Sequence, residues 1–232
     1  MQVHRSHHST GVSAEPEHSY LASAADMVIG FLFVFIIMVA FLALQKKAEQ
    51  EARAADRDPR GTVTLTIGNQ IKKDIPNVQV DPASGVITLP EELLFDRGSA
   101  SLKPVAVETL ARVSVTMAEV LKCFVANQME DPICQQENPR GHEVETIFIE
   151  GHTDSLPMNR AGGNIRLSLE RAISVNEALV EGTPLAEFRN KDGYPLFSHS
   201  AYAETRPLIK EDPSDGRNRR VDLRIVLAYR PD

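Results

Sequence analysis

IFIEGHTDSLP, residues 147–157, begins as an apolar run and ends as a polar loop. With the residues ahead of it, VETIFIEG (144–151) has the length and β-branched content of a buried strand. HTDSLPMNRAGGN (152–164) follows as a loop, and IRLSLERAISVNEALVEG (165–182) reads as a helix. Upstream, VAVETLARVSVTMAEVLKCFV (105–125) carries helical apolar spacing. VQVDPASGVITLP (78–90) has strand-like halves around a Pro/Gly turn, as a hairpin should. TVTLTI (62–67) alternates apolar and polar residues and predicts a further half-buried strand. Downstream lies a loop-rich segment and a last strand, RRVDLRIVLAY (219–229). The order β–α–β–α–β predicts an α/β (α+β) sandwich with its helices on one face.

The chain has 232 residues and a formal net charge of −7. It shows no basic stripe, aromatic stacking motif or zinc-type Cys/His spacing, so direct nucleic-acid binding is not expected, nor is a bound metal or cofactor. His4, His7, His8 and His18 belong to a polar N-terminal tail rather than to a metal site.

A second decisive stretch is SAADMVIGFLFVFIIMVAFLAL, residues 23–44. From Met27 to Leu44 it has no charged residue, and at ~1.5 Å per residue it covers about 27 Å, close to a bilayer's hydrocarbon core. It is too long for a signal-peptide core, and no small-x-small site precedes Gln45, so it reads as a single retained anchor. Lys46, Lys47, Arg53 and Arg57 follow it and only Arg5 precedes it; taken alone, that asymmetry places the C-terminal part in the cytoplasm. QKKAEQEARAADRDPRG (45–61) extends the helix as a charged linker until Pro59-Arg60-Gly61 stops it. Asp26 opens the apolar run. Two roles stay open for it: a cap favoured by the helix dipole, or an intramembrane carboxylate marking an ion path. The expected organisation is a tail (1–19), a transmembrane helix (20–45), a linker helix (46–60) and a folded domain (61–232).

Three segments in order, IFIEGHTDSLP, NIRLSLERA (164–172) and GRNRRVDLRI (216–225), follow LLFDRGSASLKP (93–104). Together they resemble the OmpA-like peptidoglycan-binding domain, which pairs a strand ending in G-H-T-D with an N-x-x-L-S-x-x-R-A helix and closes on N-R-R-V-(E/D). The resemblance covers roughly residues 86–226. It implies that Asp154 accepts from the ammonium of the stem peptide's diamino acid and that Arg171 forks onto its carboxylate. A fixed anion beside a fixed cation suits such a zwitterion. It also implies that Thr153, Asn164 and Leu167 shape the same pocket, with Arg220 the less certain member, since Arg219 or Arg220 can serve only to tie the last strand to a neighbouring carboxylate. The bland alternative for Asp154 and Arg171 is a mutual surface salt bridge, worth little. No nucleophile–base pair accompanies His152, which reads as a packing or loop-ordering residue, so no enzyme activity is expected.

Peptidoglycan lies outside the inner membrane, so the resemblance implies a periplasmic domain and a cytoplasmic tail, against the Lys/Arg asymmetry. Cys123 and Cys134 flank an insert and can pair in that oxidising compartment. Pro157 after G-H-T-D is similar to flagellar stator B subunits, and the D-x-x-x-G-(L/F)-(L/F)-x-F-I-I form of the anchor resembles the B subunit of the Zorya anti-phage defence motor. That resemblance implies a homodimer inside a ring of multi-helix A subunits, with Asp26 binding and releasing a proton (or sodium). A flagellar-type stator subunit for motility and a passive cell-wall anchor are the alternatives; only the passive anchor should tolerate asparagine at position 26.

Overall fold

The computed structural model describes residues 17–57, 59–126, 132–159 and 161–229, without the side chains of residues 17–26 and 48–57. The tail histidines His4, His7 and His8 lie outside the described residues. The chain divides into two compact units, residues 1–54 and 55–232.

The first unit is built on helix α1, Glu17–Arg57. Its segment Met27–Lys47 is long and apolar enough to cross a membrane, and all its side chains are exposed. Asp26 belongs to α1 by its backbone; its side chain is outside the described residues.

The second unit opens with helix α2, Pro59–Asp74, where a strand was expected over TVTLTI. The correction has a physical reason. Val63, Ile67 and Ile71 recur every four residues and are all buried, so an alternating run here also supplies one helical stripe. Threonine hydroxyls that favour strands are absorbed by the helix: Thr64 Oγ1 donates to Arg60 O at 2.7 Å and Thr66 Oγ1 to Thr62 O at 2.9 Å. α1 ends at Arg57, ahead of Pro59 as expected, and Pro59 then opens a new helix, as its fixed φ and missing N–H allow in a first turn.

The expected hairpin is present as β1, Gln79–Asp81, and β2, Val86–Pro90. The short helix α3, Glu91–Leu94, leads to α4, Pro104–Leu121, then α5, Pro132–Glu137. A disulfide joins Cys123 to Cys134 and so ties the end of α4 to α5. Strand β3, Val144–His152, and helix α6, Gly163–Leu179, follow as read from sequence. Strand β4, Phe197–Ala203, occupies the segment expected to be loop; the last strand is β5, Arg220–Leu227.

The sheet order is β1-β2-β5-β3-β4, antiparallel except for the parallel β3–β4 pair. α6 forms the crossover that a parallel pair requires. Alternation along the strands gives the sheet two different faces. Ile147 and Ile149 of β3 and Val221, Leu223 and Ile225 of β5 are buried in one cluster with Leu110 and Met117 of α4 and Val175 and Leu179 of α6. The alternate positions, Glu150, His152, Asp222 and Arg224, put polar and charged groups on the other face. The fold is therefore mixed α/β, an N-terminal apolar helix followed by a sheet domain.

Candidate ligand-binding site

The site is built where β3 runs into its loop. Gly151 lies so close to α6 that a Cβ there would sit 1.9 Å from Ser168 O. Ser168 Oγ in turn accepts from Ala203 N at 3.2 Å, and Thr153 N donates to Ala203 O at 2.9 Å. The β3–β4 register shifts between Gly151 and His152, and Ala203 holds a φ of 49°, in the left-handed region. A non-glycine residue there stores strain, which a surrounding hydrogen-bond frame must hold. The frame fixes the start of the loop, and with it Thr153 and Asp154.

Asn164, in the first turn of α6, clamps the loop from the other side by donating to Asp154 O and Leu156 O, each at 3.2 Å. Leu167 is buried one turn on, and Arg171 a further turn on, with only 1% of its surface exposed. Thr153, Asp154, Asn164, Leu167 and Arg171 thus share the β3 loop and the facing half of α6.

Asp154 and Arg171 are not hydrogen-bonded to each other. Arg171 Nη2 donates to Glu91 Oε1, its Nε donates to Ser99 O at 2.9 Å, and its guanidinium lies 5.1 Å from the Phe95 ring centroid. Arg219 Nε donates to the other oxygen of Glu91, and Arg219 Nη1 donates to Asp154 Oδ2 at 2.7 Å. The four groups form an alternating chain, Arg171–Glu91–Arg219–Asp154. Burial pulls the Arg171 pKa down, opposed by Glu91. For Arg219 burial also works against the charge, but the hydrogen bonds to Asp154 and Glu91 outweigh it and raise its pKa. Glu91 gave no signal in the sequence: it sits in PEELL, where an acidic residue reads as the exposed first turn of a helix.

Among the described residues, three buried polar atoms of the expected pocket residues have no hydrogen-bond partner: Thr153 Oγ1, Asn164 Oδ1 and Arg171 Nη1. Each such group costs about 1–3 kcal/mol in a closed interior. Their concentration on one loop and one helix is what a polar ligand site requires.

Arg220 belongs to the charged cluster on the far face and lines a cavity there with Glu91 and Arg219. Its Nε donates to Asp222 Oδ2 at 2.9 Å and its Nη2 to Arg206 O at 3.1 Å. It ties the last strand internally, the lesser role left open for it. Arg224 takes both oxygens of Glu150 at 2.9 Å. Glu150, His152 and Asp222 bring ligand-type atoms within 4.8 Å of one another, but both carboxylates are already engaged by arginines, so the group is an ion-pair cluster ill suited to a dication.

His152 is stacked on Tyr202 with ring centroids 5.4 Å apart, and burial, then Arg220, Arg224 and Arg206, push its pKa down to about 3. The imidazole is neutral when folded. As pH falls below the ordinary 6.5, the unfolded chain takes up a proton that the folded chain refuses until about 3. Stability is therefore lost with falling pH across that window, by on the order of 1.4 kcal/mol per pH unit at most. Asp222, raised by burial, works in the opposite sense, so the comparison must be differential. Thermal midpoints of wild type and His152→Gln, measured across the window, are expected to converge at low pH. Parallel curves would contradict the neutral histidine.

The OmpA family model matches residues 94–220. Among solved structures, the cell wall anchor of the T6SS from Pseudomonas aeruginosa is similar at 23% identity, covering 70% of this chain and 97% of that chain with a TM-score of 0.46. A MotB-like protein from Desulfovibrio vulgaris is similar at 22% identity, covering 75% of this chain and 93% of that one, with a TM-score of 0.45. The periplasmic domain of Helicobacter pylori MotB, residues 78–256, is similar at 22% identity over 60% of this chain and 74% of its own, with a TM-score of 0.39. No curated protein matches the chain.

Proposed function

Because the chain belongs to the OmpA family, we propose that its second unit holds peptidoglycan through the diamino acid of the stem peptide, and that the apolar helix anchors it in the inner membrane. The observation that carries this reading is the trio of buried atoms without partners among the described residues, Thr153 Oγ1, Asn164 Oδ1 and Arg171 Nη1, which share the β3 loop and the facing half of α6 with Asp154. A zwitterionic end group offers a carboxylate to the donors Thr153 Oγ1 and Arg171 Nη1 and an ammonium to the acceptors Asp154 and Asn164 Oδ1.

The finer reading is the B subunit of an ion-driven motor in anti-phage defence. The N-terminus is cytoplasmic and the OmpA-family domain periplasmic. Two copies stand within a ring of multi-helix A subunits, and Asp26 binds and releases a proton as the ring steps round them. A carboxylate at the start of the apolar run supports ion passage, because intramembrane acidic groups are rare and mark ion or proton paths. Attachment to the cell wall keeps the dimer from turning. The disulfide between Cys123 and Cys134 supports an oxidising compartment for the domain.

The test is phage plating efficiency in cells carrying the native operon with Asp26→Asn, with protein abundance checked by immunoblot. Protection is expected to be abolished, since asparagine caps a helix about as well as aspartate but carries no exchangeable charge. Full protection by the variant would leave a passive anchor. A wild-type operon without protection would remove the defence role and turn the test to swimming.

A further inference from the structure

Glu91 stands where β2 ends and α3 begins, and its position is fixed from three sides. Its own N–H donates to Arg219 O at 3.1 Å, and its two carboxylate oxygens take Arg171 and Arg219. It is 6% exposed. A buried carboxylate whose two oxygens are held by two separate arginines is a fixed charge, not a mobile surface group. Formal charges along Arg171–Glu91–Arg219–Asp154 sum to zero. The two ends are the least engaged: among the described residues Arg171 Nη1 is buried without a partner, and Asp154 Oδ1 accepts from Leu156 N alone, at 3.2 Å.

We propose that Glu91 is a specificity-determining positioning residue of the site: by cancelling one arginine it keeps the pocket neutral, so that a ligand must bring a carboxylate and an ammonium together. The proposal rests on the peptidoglycan reading above. Its physics is charge balance in a buried place. A ligand with a carboxylate alone leaves the pocket with an uncompensated negative charge, which is costly away from water. A zwitterion leaves the balance at zero. Without Glu91 the pocket carries one excess positive charge and accepts a lone carboxylate. Without Arg219 it carries one excess negative charge and rejects a lone carboxylate more strongly.

The experiment uses the full-length protein in detergent micelles and two synthetic stem tetrapeptides. One carries diaminopimelate; the other carries aminopimelate, which keeps the distal carboxylate and lacks the distal amine. Calorimetry gives the ratio of the two affinities. In Glu91→Gln the preference for the amine-bearing peptide is expected to fall by roughly tenfold, and in Arg219→Gln to rise by a similar factor, since one charge at a few ångströms is worth at least that much. If Glu91 serves only to hold the fold, both peptides weaken together, the ratio stays put, and the proposal is overturned. If circular dichroism shows Glu91→Gln unfolded, Arg219→Gln decides alone: an unchanged or lowered ratio there overturns it. Wild type that binds neither peptide removes the peptidoglycan reading together with this one. Wild-type binding with immobile ratios removes only the role of Glu91.

Discussion

Replacing Gly151 by alanine is expected to cost most of the stability of the sheet domain. The glycine pairs with Ala201 of β4 and Val221 of β5, so it lies in an interior strand held on both sides. Above it, α6 approaches until an added Cβ would stand 1.9 Å from Ser168 O, 2.7 Å from Ser168 C and 3.1 Å from its Cα. All three are backbone atoms, so no side-chain rotation relieves the clash. Either α6 lifts or β3 sinks, and neither is free to do so. α6 brings Ala172, Val175 and Leu179 to the core, all at 0% exposure. Interiors are packed too densely to yield by an ångström at one point. Ordinary overpacking costs about 1–3 kcal/mol; a backbone clash this close should exceed that and approach the ~5–15 kcal/mol that holds a typical domain. The check is thermal unfolding by circular dichroism, with a drop of at least ~10 °C or failure to fold expected. A variant melting within about 2 °C of wild type would mean that α6 does not sit on β3 as described.

Arg171→Met comes second. Methionine retains much of the apolar stem but removes the guanidinium from between Glu91, Ser99 O and the Phe95 ring. Glu91 is left with Arg219 as its counter-charge, still buried. Breaking one side of a buried ion pair costs about 3–5 kcal/mol in general, and the surviving arginine places this case near the lower end. A midpoint lowered by roughly 6–12 °C is expected. The result bears on function too: loss of cell-wall attachment in any Arg171 variant mixes a lost ligand contact with a weakened domain. An unchanged midpoint would show that Arg171 is held for the ligand and not for the fold.

Much of this was written plainly in the chain. The G-H-T-D loop, the helix from Asn164 onward and the closing N-R-R-V strand are local patterns with local causes, and each fell where its pattern put it. TVTLTI was misread because six residues alternating in polarity satisfy both periods; packing of Val63, Ile67 and Ile71 against the domain core chose the helix. FSHSAYA concealed β4 because it lacks the β-branched residues that mark strands; its pairing with β3, not its composition, makes it one. That Thr153, Asp154, Asn164, Leu167 and Arg171 share the β3 loop and the facing half of α6 was legible through their motif. Glu91 was not, because its importance comes from meeting Arg171 and Arg219, 80 and 128 positions away.

The place of β5 in the sheet has a consequence for how the molecule is made. β5 lies between β2 and β3, and its partners in β2 are 134 residues earlier, as in the Thr88–Asp222 contact. Until residues 220–227 have left the ribosome, the nascent chain holds two unjoined pieces, the β1–β2 hairpin and the parallel β3–β4 pair, each with an open edge. The apolar helix emerges long before that and, on the proposed anchoring, meets the bilayer while the rest is still waiting. The order of synthesis therefore makes emergence of the apolar helix the early event and closure of the sheet the late one, and it exposes the half-made domain to chaperones and proteases in between.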